Sequence, residues 1–302
     1  MKKLLYEIAH ATTYDYVGDV SLSHHLVRLA PRQYSRQTCL AHELSILPEP
    51  AIMSAHRDYF GNLTHFVAVE KGHQQLIIKS RSRVAVAPTT LSEPAETPSW
   101  EAVRARCRDD HSGKALEAHE FTYPSPLIPQ ADEFTRYAKA SFTPGRPVLE
   151  AVTDLTRRIH ADFTFDTAAT TVTTPVTEVF RQRRGVCQDF VHFELACLRS
   201  HGMPARYVSG YIETDPPPDQ PKLRGVDASH AWLSFLCPGF GWIDIDPTNN
   251  CIPSLRHIAI AWGRDYGDVP PIRGVLVGSQ GQQLTVAVDV IACGPMEEGE
   301  TE

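Results

Sequence analysis

Cys187, His230 and Asp246 are the side chains whose types and local settings could perform covalent acyl chemistry in this chain. Cys187 follows Gly185-Val186 and opens the run Cys187–His201, which ends at Gly202 and Pro204. Such an ending is a helix stop, so Cys187 sits at or near a helix N-terminus. The partial positive charge and free N–H groups there lower a thiol pKa, and the thiolate is the form that attacks a carbonyl carbon. The same N–H groups can hold a developing oxyanion. Taken singly, a cysteine is equally well explained as a small buried apolar residue.

The next two strands supply a base and an acid. In a strand over 230–236, His230, Trp232 and Ser234 share one face, and Ala231, Leu233 and Phe235 the other. Over 242–246, Trp242, Asp244 and Asp246 share a face opposite Ile243 and Ile245. The aliphatic faces must pair, because a one-residue slip sets Leu233 against Asp244. With a short loop around Cys237–Phe240, one register places His230 directly across from Asp246 and the next makes them diagonal neighbours. Either keeps the pair within roughly 5–8 Å at Cβ. An imidazole held by a carboxylate on a rigid hairpin is an oriented base in one tautomer. Asp244 is an alternative acid, and a plain structural His–Asp hydrogen bond is the bland reading of the same pair. A zinc site built from Cys187, His192, Cys197 and His201 is not expected. At about 100° per residue the last three fall near 140°, 280° and 320° from Cys187, so His192 lies well away from the others and the four do not converge on one face. Asp189 reads as a cap or first-turn acid.

Elements that could position these groups follow from the flanking sequence. Residues 1–88 are β-rich, with a hairpin over 56–66 turning at Gly61-Asn62. Pro88 to Pro98 reads as a linker, and 89–149 as linker and helical region, with Ser99 capping a helix that starts at Trp100. Pro147 sits in the first turn of a helix running to Ile159. A Thr-rich stretch, 164–177, precedes the cysteine, and 205–212 reads as a strand. The catalytic segment spans 150–293 with C-terminal strands, and an acidic tail over 294–302 is expected to be disordered. The Pro-rich loop Glu213–Asp227 precedes His230 and is placed to influence specificity.

Composition bounds the rest. The 302 residues are 42% hydrophobic and 22% charged with a net charge of -7, which suits a globular protein and argues against a nucleic-acid partner. Lys2 and Lys3 are followed by too short an apolar run for a signal peptide, and no stretch is long enough to span a membrane. Seven unpatterned cysteines then suggest reduced thiols in the cytoplasm.

Four blocks in order resemble the transglutaminase-like superfamily: Gly185-Val-Cys-Gln-Asp-Phe190, Gly202-Met-Pro-Ala-Arg-Tyr-Val-Ser-Gly-Tyr211, His230-Ala-Trp232 and Gly241-Trp-Ile-Asp-Ile-Asp-Pro-Thr248. The N-terminal segments Tyr14–Tyr16 and Ser21–Leu29, and the later Gly263–Pro271, are similar to bacterial transglutaminase-like proteins. The resemblance implies an α+β, papain-like fold with a cysteine-bearing helix on an antiparallel sheet. It implies Cys187 as nucleophile, His230 as base and Asp246, rather than Asp244, as third member. It also implies an oxyanion-stabilising side chain upstream of the cysteine, for which Gln182 is the candidate. The implied activity is acyl transfer or hydrolysis at peptide or glutamine amides through a thioester, on a peptide or protein substrate, without cofactor or metal. Hydrolysis or transfer on a small substrate is favoured, since nothing resembles the large multidomain crosslinkers. A non-catalytic peptide-binding scaffold with the same fold is the alternative, and oligomeric state is left open.

Overall fold

The computed structural model describes residues 2–91, 93–110, 112–214 and 229–296. The loop 213–227, expected to influence specificity, lies outside them from residue 215 onward, as does the tail beyond residue 296. Among the described residues no helix is long and apolar enough to cross a membrane.

Six strands open the chain: β1 (Leu4–Val20), β2 (Leu22–Val27), β3 (Gln37–Leu47), β4 (Ile52–Arg57), β5 (Leu63–Val69) and β6 (His73–Val86). The expected hairpin is β4–β5, and Gly61 and Asn62 lie in its turn. Helices follow: α1 (Trp100–Asp109), α2 (Gly113–His119), α3 (Asp132–Ala138) and α4 (Val148–Asp162). Ser99 caps α1 by accepting from the Ala102 N–H, and Pro147 immediately precedes α4. A short β7 (Thr164–Phe165), α5 (Val176–Gln182) and β8 (Arg184–Gly185) lead into α6 (Cys187–Ser200). After it come β9 (Ala205–Ile212), β10 (Ser229–Cys237), β11 (Gly241–Ile245), β12 (His257–Gly263), β13 (Ile272–Val277) and β14 (Gln282–Pro295).

Three antiparallel four-stranded sheets result, ordered β14-β1-β6-β3, β13-β2-β5-β4 and β11-β10-β9-β12. The first two close over a shared core that includes Val20, Val27, Val67, Leu76 and Ile78. The third is the sheet of the candidate site. Its Leu233, Phe235 and Ile245 pack with helical residues such as Leu155, Phe193 and Leu195. On its other face, Tyr211, Ile258 and Ile260 meet Tyr6, Ile8 and Val290 of the first sheet. The alternation read from the sequence is thus the division between two cores.

The C-terminal strands depart from expectation. Taken with the catalytic segment on sequence order, they instead hydrogen-bond to the N-terminal region, β14 to β1 and β13 to β2. Residues 294 and 295, expected to be disordered, pair with Leu5 and Leu4. The outer edge of β12 is also closed by the N-terminal region. The Gln37 side-chain amide exchanges two hydrogen bonds of 2.8 Å with the Ala259 backbone, and that of Asn62 exchanges two of 2.9 Å with Trp262. Amide side chains thereby satisfy a sheet edge that would otherwise expose unpaired groups.

Candidate active site

Cys187 is the first residue of α6 and is half-buried. Asp189 fixes this entry, accepting from the Val186 N–H at 2.8 Å and the Thr170 hydroxyl at 2.6 Å. It is a first-turn cap, as expected. Glycine at 185 has a steric reason: a Cβ there would lie 2.5 Å from Asp189 Oδ2.

His230 is the second residue of β10, its imidazole hydrogen-bonds Asp246, and with Cys187 it lines one cavity. The Nε2–Oδ2 distance to Asp246 is 2.7 Å. Leu233 pairs with Ile245 and Ser234 with Asp244, so continuing the register sets Asp246 across from Trp232 and diagonal to His230. This is the second of the two registers allowed by the sequence. Asp244 instead bonds Ser234 and forms a 2.7 Å ion pair with Arg36.

Asp246 is fully buried and holds more than one imidazole. Its Oδ1 accepts from the Thr248 and Asn249 N–H groups at 2.9 and 3.1 Å. Its Oδ2 is shared by His230, by the Asn249 side-chain amide at 2.7 Å and by His257 Nε2 at 3.0 Å. His257, at the head of β12, had no place in the sequence reading. The signal would have been the pairing of β12 with β9, which brings it into the row of strands beside β10.

Burial opposes charge on His230, but the hydrogen bond to Asp246 and the negative charges of Asp246 and Cys187 push its pKa up to about 9. Burial alone would raise Asp246, yet hydrogen bonds from His230 and His257 hold it well below the usual carboxylate range. Two imidazoles and a carboxylate also lie close enough to form a metal-ligand group. Every Asp246 acceptor position is already engaged by a donor, so hydrogen bonding accounts for the cluster as it stands.

The cavity at Cys187 has a volume of about 310 Å³. Gln188, Tyr207, His230 and Tyr266 line one side, and the N-terminal and C-terminal strands form the other through His10, Tyr14 and Leu284. His10 is buried and locked between the Tyr211 and Thr12 hydroxyls, both at 2.8 Å. Tyr207 is buried, and burial together with the Cys187 charge raises its phenol well above its ordinary value. Gln182, the upstream oxyanion candidate, is elsewhere: exposed on α5, it bonds Glu178 at 2.8 Å.

Two family models match, the bacterial transglutaminase-like N-terminal region over residues 6–85 and the transglutaminase-like superfamily over 135–247. An uncharacterized protein of Mycobacterium tuberculosis is 41% identical over 95% of this chain and 92% of its own length. One of Mycobacterium leprae is 30% identical over 94% and 97%. A protein-glutamine gamma-glutamyltransferase of Pseudomonas aeruginosa is 30% identical, over 36% of this chain and 19% of its own. The fold is that of a crystal structure of a candidate cysteine protease from Cytophaga hutchinsonii, with a TM-score of 0.76, 18% identity and coverage of 100% and 96%. With its helix-borne cysteine, antiparallel sheet and β-rich N-terminal region, the chain belongs to the transglutaminase-like superfamily.

Proposed function

We propose that the protein is a thiol enzyme that cleaves or transfers acyl groups at peptide or glutamine side-chain amides. The observation that carries this reading is the buried His230–Asp246 hydrogen-bonded pair beside the half-buried Cys187, with Cys187 and His230 both lining the 310 Å³ cavity. Cys187 gives its proton to His230, which keeps it up to about pH 9. The sulfur attacks the amide carbon, and the tetrahedral oxyanion is held by N–H groups at the start of α6 and by the Tyr207 hydroxyl, which burial keeps protonated. His230 passes its proton to the leaving nitrogen, the C–N bond breaks and a thioester on Cys187 remains. Water, deprotonated by His230, then releases the acid; an amine in its place gives transfer. Hydrolysis is the favoured outcome, because the half-buried sulfur leaves the thioester open to water. Seven free thiols, Cys187 included, support a reducing compartment such as the cytoplasm.

The test is acid-quenched intact-mass spectrometry after mixing with glutamine-containing peptides. An acyl adduct mapping to Cys187, absent in Cys187→Ala, is expected. Full turnover by Cys187→Ala would refute the thiol reading. A non-catalytic scaffold would give neither adduct nor product.

A further inference from the structure

A second cavity, of about 560 Å³, lies away from Cys187 where the N-terminal loops, the segment after α2 and the edge of the third sheet meet. Its wall is an alternating stack of indoles and guanidiniums. The Arg206 guanidinium carbon lies 4.2 Å from the Trp242 ring centre and 3.7 Å from that of Trp262. Arg32 approaches Trp262 at 3.3 Å, which places the two cations on either side of one ring. Stacking accounts for their faces but leaves their edges short of partners. Arg206 is only 8% exposed, yet among the described residues it makes no hydrogen bond and no close ion pair. Its Nε, like that of Arg32, is buried without a partner.

Neighbouring acids do not neutralise them. Asp244, whose charge acts on Arg206, is engaged by Arg36 and Ser234. Asp58, whose charge acts on Arg32, pairs with Arg28 at 3.0 Å. Burial, reinforced at Arg32 by the like charge of Arg206, pushes the guanidiniums down to about 10 and about 9. Arg206 is buried with an unpaired Nε, and the half-buried Arg32 donates to the Asn62 amide oxygen while its own Nε stays unpaired. Two such cations side by side cost more than a structural stack requires, because a buried donor left unpaired loses its hydration without return.

We propose that this cavity binds a small organic carboxylate, its anionic group on Arg206 and Arg32 and its apolar body against Phe60, Phe121 and the indole rings. Glu117 and Glu120 also line the cavity and disfavour a doubly charged phosphate relative to a monoanion. The site is independent of the thiol chemistry.

Two of the four tryptophans lie here, so intrinsic fluorescence reports on occupancy. Titration of the whole protein with 3-phenylpropanoate should give a saturable change. The neutral 3-phenylpropanamide should bind roughly tenfold or more weakly, as should the acid to Arg206→Gln, since charge-assisted hydrogen bonds are lost in both. Protein alkylated at Cys187 should bind the acid unchanged. Equal affinity for acid and amide, no saturation, undiminished binding to Arg206→Gln, or loss of binding on alkylation would each overturn the proposal. Tighter binding of inorganic phosphate would overturn the carboxylate assignment. If Arg206→Gln fails to fold, the acid-to-amide ratio on the wild type decides.

Discussion

Asp246 accepts five hydrogen bonds, from His230, His257, Thr248 and the backbone and side chain of Asn249. A carboxylate so held cannot turn, and it orients His230 as the proposed chemistry requires. Removing its charge removes the largest influence that holds the His230 proton. The alkaline limb of kcat/KM should therefore lie near pH 9 in the wild type and move to lower pH in Asp246→Asn, with a loss on the order of 10²–10⁴. His257→Ala removes one donor and leaves the pair, so its loss should be on the order of tenfold. Asp244→Ala should leave the pH profile in place, because Asp244 serves Arg36 and Ser234. Pre-steady-state and pH-rate measurements on the three variants check this ranking. Cys187, His230 and Asp246 were legible because each lies in a compact local motif. His257 was not, since its link to Asp246 depends on how β12 joins the sheet, and no local pattern encodes that.

At the scale of elements, α6 positions the thiol and is itself tied to α4. Glu194, two turns along from Cys187, is fully buried and hydrogen-bonds the Thr156 hydroxyl at 2.7 Å. Burial pushes its carboxyl up to about 8, from 4.5. The unfolded chain releases this proton as pH rises through about 4.5, whereas the fold retains it until about 8. Stability from this group is therefore complete at acid pH and declines between those values, by about 3 kcal/mol at pH 7. Glu194→Gln should flatten the decline, and its melting temperature should exceed the wild type's by a margin that grows from pH 5 to 8. A variant that tracks the wild-type curve would show that Glu194 ionises without penalty. The helix over 187–200 and the hairpin after it were readable from caps, stops and alternation. The two registers could not be separated, because both keep the aliphatic faces paired.

Across the whole molecule, the two ends of the chain meet at the candidate site. The pairing of β14 with β1 joins residues nearly a full chain length apart, and sequence order gives no sign of such a contact. His10 and Tyr14 of the N-terminal region and Leu284 of β14 line the cavity beside Cys187. If substrate lies against that wall, Tyr14→Ala should raise KM with little change in kcat, since it touches no group of the proposed triad. Steady-state kinetics on a cleaved peptide would show it, and an unchanged KM would remove the wall from substrate binding.

The most direct test of the thiol reading is the rate of iodoacetamide alkylation at each cysteine near pH 7, resolved by peptide mapping. Burial raises the thiols of Cys39, Cys107, Cys197, Cys237 and Cys251, so these should react slowly. Cys187 should react fastest of the seven, faster than the exposed Cys293, and should slow markedly in His230→Ala. Alkylation of Cys187 no faster than Cys293, or unaffected by loss of His230, would contradict the account.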